Sequence, residues 1–259
     1  IALLQLFTRS SNASHVRMNL ASAATGAGAL AGPFTIGILG ASFIPYIVTT
    51  AIGISLIATL FLTGARWKVE KYPHSSQTKE NKIRLTIVLL AITFYSGLEN
   101  SIGAWLPTII SNVDGTLEAG ALSSALFYFF FSIGRFVGVF LAKVMEPERI
   151  ILLCILSTLI PFGFALVFES KLGIFLAICG LFLGPLFPNS SSWIARKTPG
   201  FPVATTVLML SIMFGGFIFP PILGFVLEVT GITGFMYALT ALLLLSASLF
   251  ISSYVNWRR

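Results

Sequence analysis

The sequence contains little charge, few histidines and only two cysteines. Asp, Glu, Lys and Arg make up 10% of its 259 residues, against roughly 25% in soluble globular proteins. A chain so poor in charge cannot cover a water-exposed surface, so much of its surface must face lipid. No zinc-ligand spacing, phosphate-binding loop or nucleophile elbow occurs, and both cysteines lie in apolar runs. We therefore predict no enzyme, metal site or cofactor.

Long apolar runs are what the sequence does contain, and its mean hydropathy is +0.93. A helix needs about 20 mostly apolar residues to cross the hydrocarbon core of a bilayer. The runs show no alternation of apolar and polar residues, which excludes the strands of a membrane β-barrel. The sequence therefore predicts an all-α, polytopic membrane helical bundle with eight spans: Met18–Leu39, Phe43–Gly64, Leu85–Ile110, Ala119–Ala142, Ile150–Phe168, Leu172–Ala195, Val203–Val229 and Phe235–Val255.

The basic residues lie in short segments between these spans, although the net charge of +7 would also suit a nucleic-acid partner. They form no continuous basic face, so we predict a lipid bilayer and no nucleic acid as partner. Counting the crossings places nearly all loop Lys and Arg residues on one side, while only Lys171 lies on the other. The positive-inside rule makes the first side cytoplasmic, together with the C-terminus.

A polar stretch divides the chain. Residues 65–84 are predicted to be a solvated cytoplasmic linker without fixed structure. The preceding residues 1–64 would be the remnant of an N-terminal lobe, since the chain opens on a short apolar piece starting at Ile1. Residues 85–259 would form a six-helix C-terminal lobe. Two such lobes make a twelve-span transporter, of which about eight complete spans would be present here.

The span after the linker carries a carboxylate. Glu99 lies about 15 residues, or roughly 22 Å of helix, beyond Arg84 and so near mid-membrane. Placing an ionisable residue at that depth costs free energy, so its side chain should face the bundle interior or a water-filled cavity. Tyr95 lies on the same helix face, and Asn100 and Trp105 would line a cavity suited to a sugar. The alternative is that Glu99 is a structural charge, paired within the bundle.

Arg135 occupies the next span, about two turns from its cytoplasmic end at Lys143. A structural or gating role suits it better than substrate contact, because a long cationic side chain there can reach the interface or cap neighbouring carbonyls. Direct pairing with Glu99 is left open, since the two residues differ in depth by about 10 Å.

Helix breakers occur within three spans. Pro185 and Pro188 interrupt the backbone hydrogen bonds of the helix near mid-membrane. Such an interruption is tolerated only where the backbone is buried or lines a cavity. The neighbouring Asn189 either contacts the solute or satisfies a freed carbonyl group. Two further clusters of breakers are predicted to shape their spans or the substrate pathway: Gly28, Gly32 and Pro33 in the first span, and Gly215, Gly216, Pro220 and Pro221 in the seventh.

These motifs together resemble the fucose–galactose–glucose:proton symporter branch of the major facilitator superfamily, most closely its eukaryotic members. The residues that carry the resemblance are Gly28 to Pro33, Tyr95-x-Gly97-x-Glu99 with Gly103 and Trp105, Ser132-x-Gly134-Arg135, and Gly184-Pro185-x-Phe187-Pro188. The resemblance implies two lobes that rock around a central site. The family's coupling carboxylates lie mainly on early helices that this chain lacks, and Ser22 stands where the family often has a histidine.

The function expected from these observations is secondary active transport of a small polar solute, a monosaccharide above all, with H⁺ or Na⁺ as the coupling ion. The resemblance to this family implies the plasma membrane as the location of the protein. Two alternatives stay open: a membrane sensor or scaffold that keeps the transporter fold, and an inactive truncated product.

Overall fold

The computed structural model describes residues 79–114, 116–198 and 203–258, together with Ile47. The first two predicted spans lie almost wholly outside these residues, as do Gly28, Gly32 and Pro33. The described part of the chain is helical throughout apart from short connections. Its elements are α1 (Lys79–Asp114), α2 (Leu117–Val144), α3 (Pro147–Val167), a 3₁₀ turn (Glu169–Lys171), α4 (Leu172–Leu183), α5 (Leu186–Lys197) and α6 (Val203–Arg258).

The described residues contain five helical segments long and apolar enough to cross a membrane; the 3₁₀ turn, α4 and α5 together form one of them. Large apolar side chains are exposed on the outside of the bundle, among them Phe140, Ile160 and Phe225. A surface of that kind is stable against lipid and would be unusual in water. The prediction of an all-α, multi-pass integral membrane bundle is confirmed.

The longest helix, α6, consists of two antiparallel arms that meet at Gly231. This residue has φ 70° and ψ −168°, a conformation that glycine adopts without the steric cost of a Cβ atom. Thr93 and Trp105 of α1 lie beside Gly215 and Gly224 of the first arm, in the same chain direction. The second arm runs the opposite way along α1, because Ser246 bonds to Ala91 while Trp257 lies near Arg84. The arms correspond to the last two predicted spans.

Helix α1 lies at the centre of the described bundle and packs against both arms of α6. Its apolar core side chains recur at helical spacing and are fully buried: Ile92, Leu98, Ile102 and Leu106. Two glycines allow an especially close approach of α1 and the first arm. A Cβ atom on Gly215 would lie 2.2 Å from the Thr93 carbonyl oxygen, and one on Gly97 would lie 2.3 Å from the Phe219 ring.

The structure corrects three sequence-based expectations. Helix α1 begins at Lys79, within the predicted linker, because Lys, Glu and Arg propagate a helix beyond the apolar run. Pro188 does not break the backbone: it is the third residue of α5, where the missing amide would lack an intrahelical partner anyway. Pro220 and Pro221 also lie inside continuous helix, which membrane helices allow when neighbouring groups satisfy the backbone.

Candidate functional site

Glu99 lies near the middle of α1, where α2 and the α4–α5 junction approach this helix. Its side chain is partly exposed. The carboxyl group lies within hydrogen-bonding reach of the Tyr95 hydroxyl and is close enough to Arg135 to interact electrostatically. Tyr128 of α2 adds a second phenol within electrostatic range of Glu99. The bundle thus surrounds one carboxylate with two phenols and a guanidinium group.

Tyr95 is buried and reaches across to the α4–α5 junction. Its side chain is 1% exposed, and its hydroxyl donates a 3.1 Å hydrogen bond to the carbonyl oxygen of Leu183. The backbone N–H of Phe187 is close enough to interact with the same hydroxyl oxygen. In a continuous helix, residues 183 and 187 would bond directly to each other. The Tyr95 hydroxyl therefore lies at the interruption and is bonded to the residue that precedes it.

Gly184 and Pro185 form the interruption between α4 and α5. Pro185 has no backbone N–H, so the Leu181 carbonyl four residues earlier loses its usual partner. The fully buried Asn189 donates from Nδ2 to the Pro185 carbonyl oxygen at 2.7 Å. The same carbonyl oxygen also accepts the backbone N–H of Asn189 at 3.3 Å, so it is not one that a proline deprives of its helical partner. The choice between solute contact and backbone support for Asn189 stays a prediction.

Glycines bring α2 against α4 and so place Arg135 near Glu99. A Cβ atom on Gly134 would lie 2.0 Å from the Leu181 carbonyl oxygen, and one on Gly184 would lie 2.3 Å from that of Phe131. The Arg135 guanidinium lies 4.5 Å from the centre of the Phe131 ring, a cation–π distance. The motif that suggested a gating arginine thus also supplies the close helix contact that positions it.

Asn100 is the most exposed of the predicted contact residues on α1. Its Nδ2 donates to the Ser96 carbonyl oxygen at 2.8 Å and to the Ser96 hydroxyl at 3.2 Å. Ser96 in turn donates to the carbonyl oxygen of Ile212 at 2.8 Å. A Cβ atom on Gly216 would lie 3.0 Å from Asn100 Nδ2. Asn100 therefore presents a prepositioned amide on the helix turn that also carries Glu99.

Trp105 lies farther along α1, away from this cluster. Its indole Nε1 donates to the Pro220 carbonyl oxygen at 2.7 Å, and its ring occupies the space beside Gly224. Tyr95, Glu99, Arg135 and the broken helix thus meet at one place, with Asn100 one residue beyond Glu99, while Trp105 fastens α1 to the first arm of α6.

Two residues near Glu99 were not among the candidates predicted from the motifs: Tyr128 and Ser96. Tyr128 stands four residues before Ser132, on the helix that carries the Ser132-x-Gly134-Arg135 motif, and a Cβ atom on Gly103 would lie 2.7 Å from its hydroxyl. The sequence signal was helical spacing from Arg135 combined with the small residue opposite. Within the described residues no group of three potential metal ligands is present.

Comparison with solved structures identifies the fold. FucP, a major facilitator superfamily transporter crystallised in the outward conformation, superimposes with a TM-score of 0.70 over 94% of this chain and 68% of FucP, at 18% identity. A variant of the E. coli fucose:proton symporter FucP gives a TM-score of 0.68 over 94% of this chain and 69% of that protein, at 20% identity. The chain has the fold of a major facilitator superfamily transporter.

Comparison with curated sequences points to sugar transporters, although no family model matches the chain. Sodium-dependent glucose transporter 1A of Mus musculus is 23% identical over 181 residues, which cover 65% of this chain and 43% of that protein. A putative glucose/galactose transporter of Helicobacter pylori is 27% identical over 144 residues, covering 54% of this chain and 35% of that protein. The chain thus spans less than half the length of these relatives. The resemblance predicted from the motifs is confirmed.

Proposed function

We propose that the protein carries out secondary active transport of a monosaccharide by alternating access. The observation that supports this most directly is the partly exposed Glu99, which lies within hydrogen-bonding reach of Tyr95 and within electrostatic range of Arg135, near the broken α4–α5 helix. A carboxylate inside a membrane bundle costs free energy, and residues of this kind mark substrate or ion pathways. The relatives named as glucose and galactose transporters support a hexose as the solute.

Glu99 and Asn100 are the proposed solute contacts among the described residues. Both offer polar groups with spare hydrogen-bonding capacity on one turn of α1, and a sugar hydroxyl both donates and accepts. We assign Trp105 and Asn189 to backbone support instead, because their polar atoms bond to the Pro220 and Pro185 carbonyl groups. Arg135 would balance the Glu99 charge as the lobe changes state.

The proposed architecture is the two-lobe arrangement, with the described helices forming the C-terminal lobe. Residues 65–84 would include the connection between this lobe and an N-terminal lobe, to which residues 1–64 would belong. Eight of the twelve spans would then be present. The proposed location is the plasma membrane with a cytoplasmic C-terminus, in agreement with the distribution of Lys and Arg. Ligand binding would shift the populations of inward- and outward-open states.

The proposed transport is driven by an ion gradient. The names of related proteins point to different ions: one relative is called sodium-dependent, and one structural neighbour is a fucose:proton symporter. A carboxylate such as Glu99 can bind either H⁺ or Na⁺, so the chemistry of this residue is compatible with both.

Uptake of radiolabelled D-glucose, D-galactose and L-fucose into proteoliposomes tests the proposal. An inward proton gradient and an inward sodium gradient are imposed separately, and protein-free liposomes and labelled L-glucose serve as controls. Saturable uptake that exceeds both controls under one gradient is the expected result. Correctly inserted protein that moves none of these sugars under either gradient would instead favour the sensor or scaffold alternative.

A further inference from the structure

We propose that Tyr95 is a positioning residue that couples the state of Glu99 to a hinge at Gly184–Pro185. This inference deepens the proposed transport function and depends on it for its physiological meaning. The structural relationship that carries it is that one phenol hydroxyl donates to the Leu183 carbonyl oxygen beside the break and lies within hydrogen-bonding reach of the Glu99 carboxylate, one helical turn along α1.

The two halves of the broken helix share one neighbour and differ in the others. Both halves pack on α3, but α4 also packs extensively on α2, whereas α5 also contacts α6. Close contacts at Gly180 and Gly184 fix the end of α4 against the backbone of α2. Because α2 holds α4 and α6 contacts α5, α5 can tilt relative to α4 about the junction while both halves stay on α3. Hinges of this kind lie at a few residues near the ends of packed elements.

Only one proton is available for two acceptors. A tyrosine hydroxyl donates a single hydrogen bond, and the acceptors within reach are the Leu183 carbonyl oxygen and the Glu99 carboxylate. The bond to Leu183 measures 3.1 Å, which is long for an O–H···O bond. A long bond is expected when a second acceptor draws on the same hydrogen.

The state of Glu99 therefore decides where the phenol proton points. A free carboxylate attracts it, because hydrogen bonds to charged groups are stronger than those to neutral ones. When a solute hydroxyl or a coupling cation satisfies Glu99, the phenol donates to Leu183 instead and holds α4 and α5 together. Occupancy of the site thus stiffens the hinge through Tyr95.

Hydrogen–deuterium exchange of the peptide containing Leu186–Asn189 tests this coupling in the purified, reconstituted protein. Tyr95→Phe removes the hydroxyl and keeps the buried ring, so exchange should accelerate at least about fivefold. Glu99→Gln removes the charged competitor, so exchange should slow by a similar factor. In the double variant Glu99→Gln should have no further effect, since the coupling residue is gone. Tyr237→Phe changes an exposed phenol remote from the junction and should leave exchange as in wild type.

An equal effect of Glu99→Gln with and without the Tyr95 hydroxyl would overturn the inference, because a purely structural tyrosine gives that pattern. Unchanged exchange in Tyr95→Phe would overturn it too. For transport, Tyr95→Phe should lower the maximum rate about tenfold while hexose KM changes less than about threefold.

Wild-type protein provides a measurement that needs no variant: saturating hexose should slow exchange of the same peptide. A protein that transports hexose without this change contradicts the coupling. If wild type neither binds nor transports hexose, the proposed function has failed. The comparison of Glu99→Gln in the two backgrounds still decides whether Tyr95 links the carboxylate to the hinge.

Discussion

The indole Nε1 of Trp105 donates a 2.7 Å hydrogen bond to the carbonyl oxygen of Pro220, and the Trp105 ring covers Gly224. Pro220 and Pro221 each deprive a carbonyl group one turn earlier of its helical partner. The Trp105 indole bonds to the backbone of α6 about one turn beyond these two carbonyl groups. The contact joins two helices that both bear on the candidate site.

Gly224→Ala tests how tightly this contact is packed. A Cβ atom there would lie 2.1 Å from the Trp105 ring, so one element must move. We expect a loss of stability of about 1–3 kcal/mol, measured as a lower thermal unfolding midpoint in detergent. Trp105→Phe in the same protein should restore part of the loss, because the smaller ring frees the space. Gly163→Ala is the matched control, since no atom lies within 4 Å of its Cβ position.

Glu99→Gln tests the role of the carboxylate in transport. The variant keeps the size of the side chain and removes its charge, so we expect hexose uptake to fall at least about tenfold or to lose its dependence on the ion gradient. Surface expression should be unaffected. Glu228→Gln, at an exposed position on the first arm of α6, is the control and should transport normally. Wild-type uptake with wild-type pH dependence in Glu99→Gln would rule out this role.

Gly134→Ala tests the approach of α2 to α4. The new methyl group would lie 2.0 Å from the backbone oxygen of Leu181, and a backbone atom cannot rotate away as a side chain can. We expect a loss of about 3 kcal/mol or more and reduced uptake, because separating the helices moves Arg135 away from Glu99. Unfolding midpoints and uptake are measured together. Stability equal to that of Gly163→Ala would show that the helices are not in this close contact.

Substitutions of Gly231 test the backbone conformation between the two arms of α6. Its positive φ of 70° disfavours residues with a Cβ atom, although nothing lies within 4 Å of that position. The cost of Gly231→Ala should therefore be conformational, about 1–3 kcal/mol. Gly231→Asn should cost about as much, since φ 70° with ψ −168° lies outside the left-handed helical region that Asn tolerates and is adopted almost only by glycine. An unfolding midpoint of Gly231→Ala equal to that of Gly163→Ala would contradict this backbone conformation at residue 231.

Most of the fold in the described region could be predicted from the sequence, because long apolar runs specify membrane helices one at a time. The interruption near Pro185 was also predictable, since proline lacks the amide that a helix requires. The start of α1 at Lys79 was not, because polar residues are compatible with both helix and linker. The continuity of α6 through Pro220 depends on its neighbours and leaves no local signal.

The candidate site was predictable only in part. The sequence by itself determined that Glu99 and Arg135 lie within apolar spans, because a charge at that depth is visible in the residue pattern alone. The tertiary structure decided what surrounds these residues and Tyr95. It placed the Tyr95 hydroxyl on Leu183, which is 88 residues away in the chain, and brought Arg135 within electrostatic range of Glu99. Periodicity specifies which face of a helix a residue occupies, but the partner on that face depends on the close packing of glycines such as Gly134 and Gly184 against other helices.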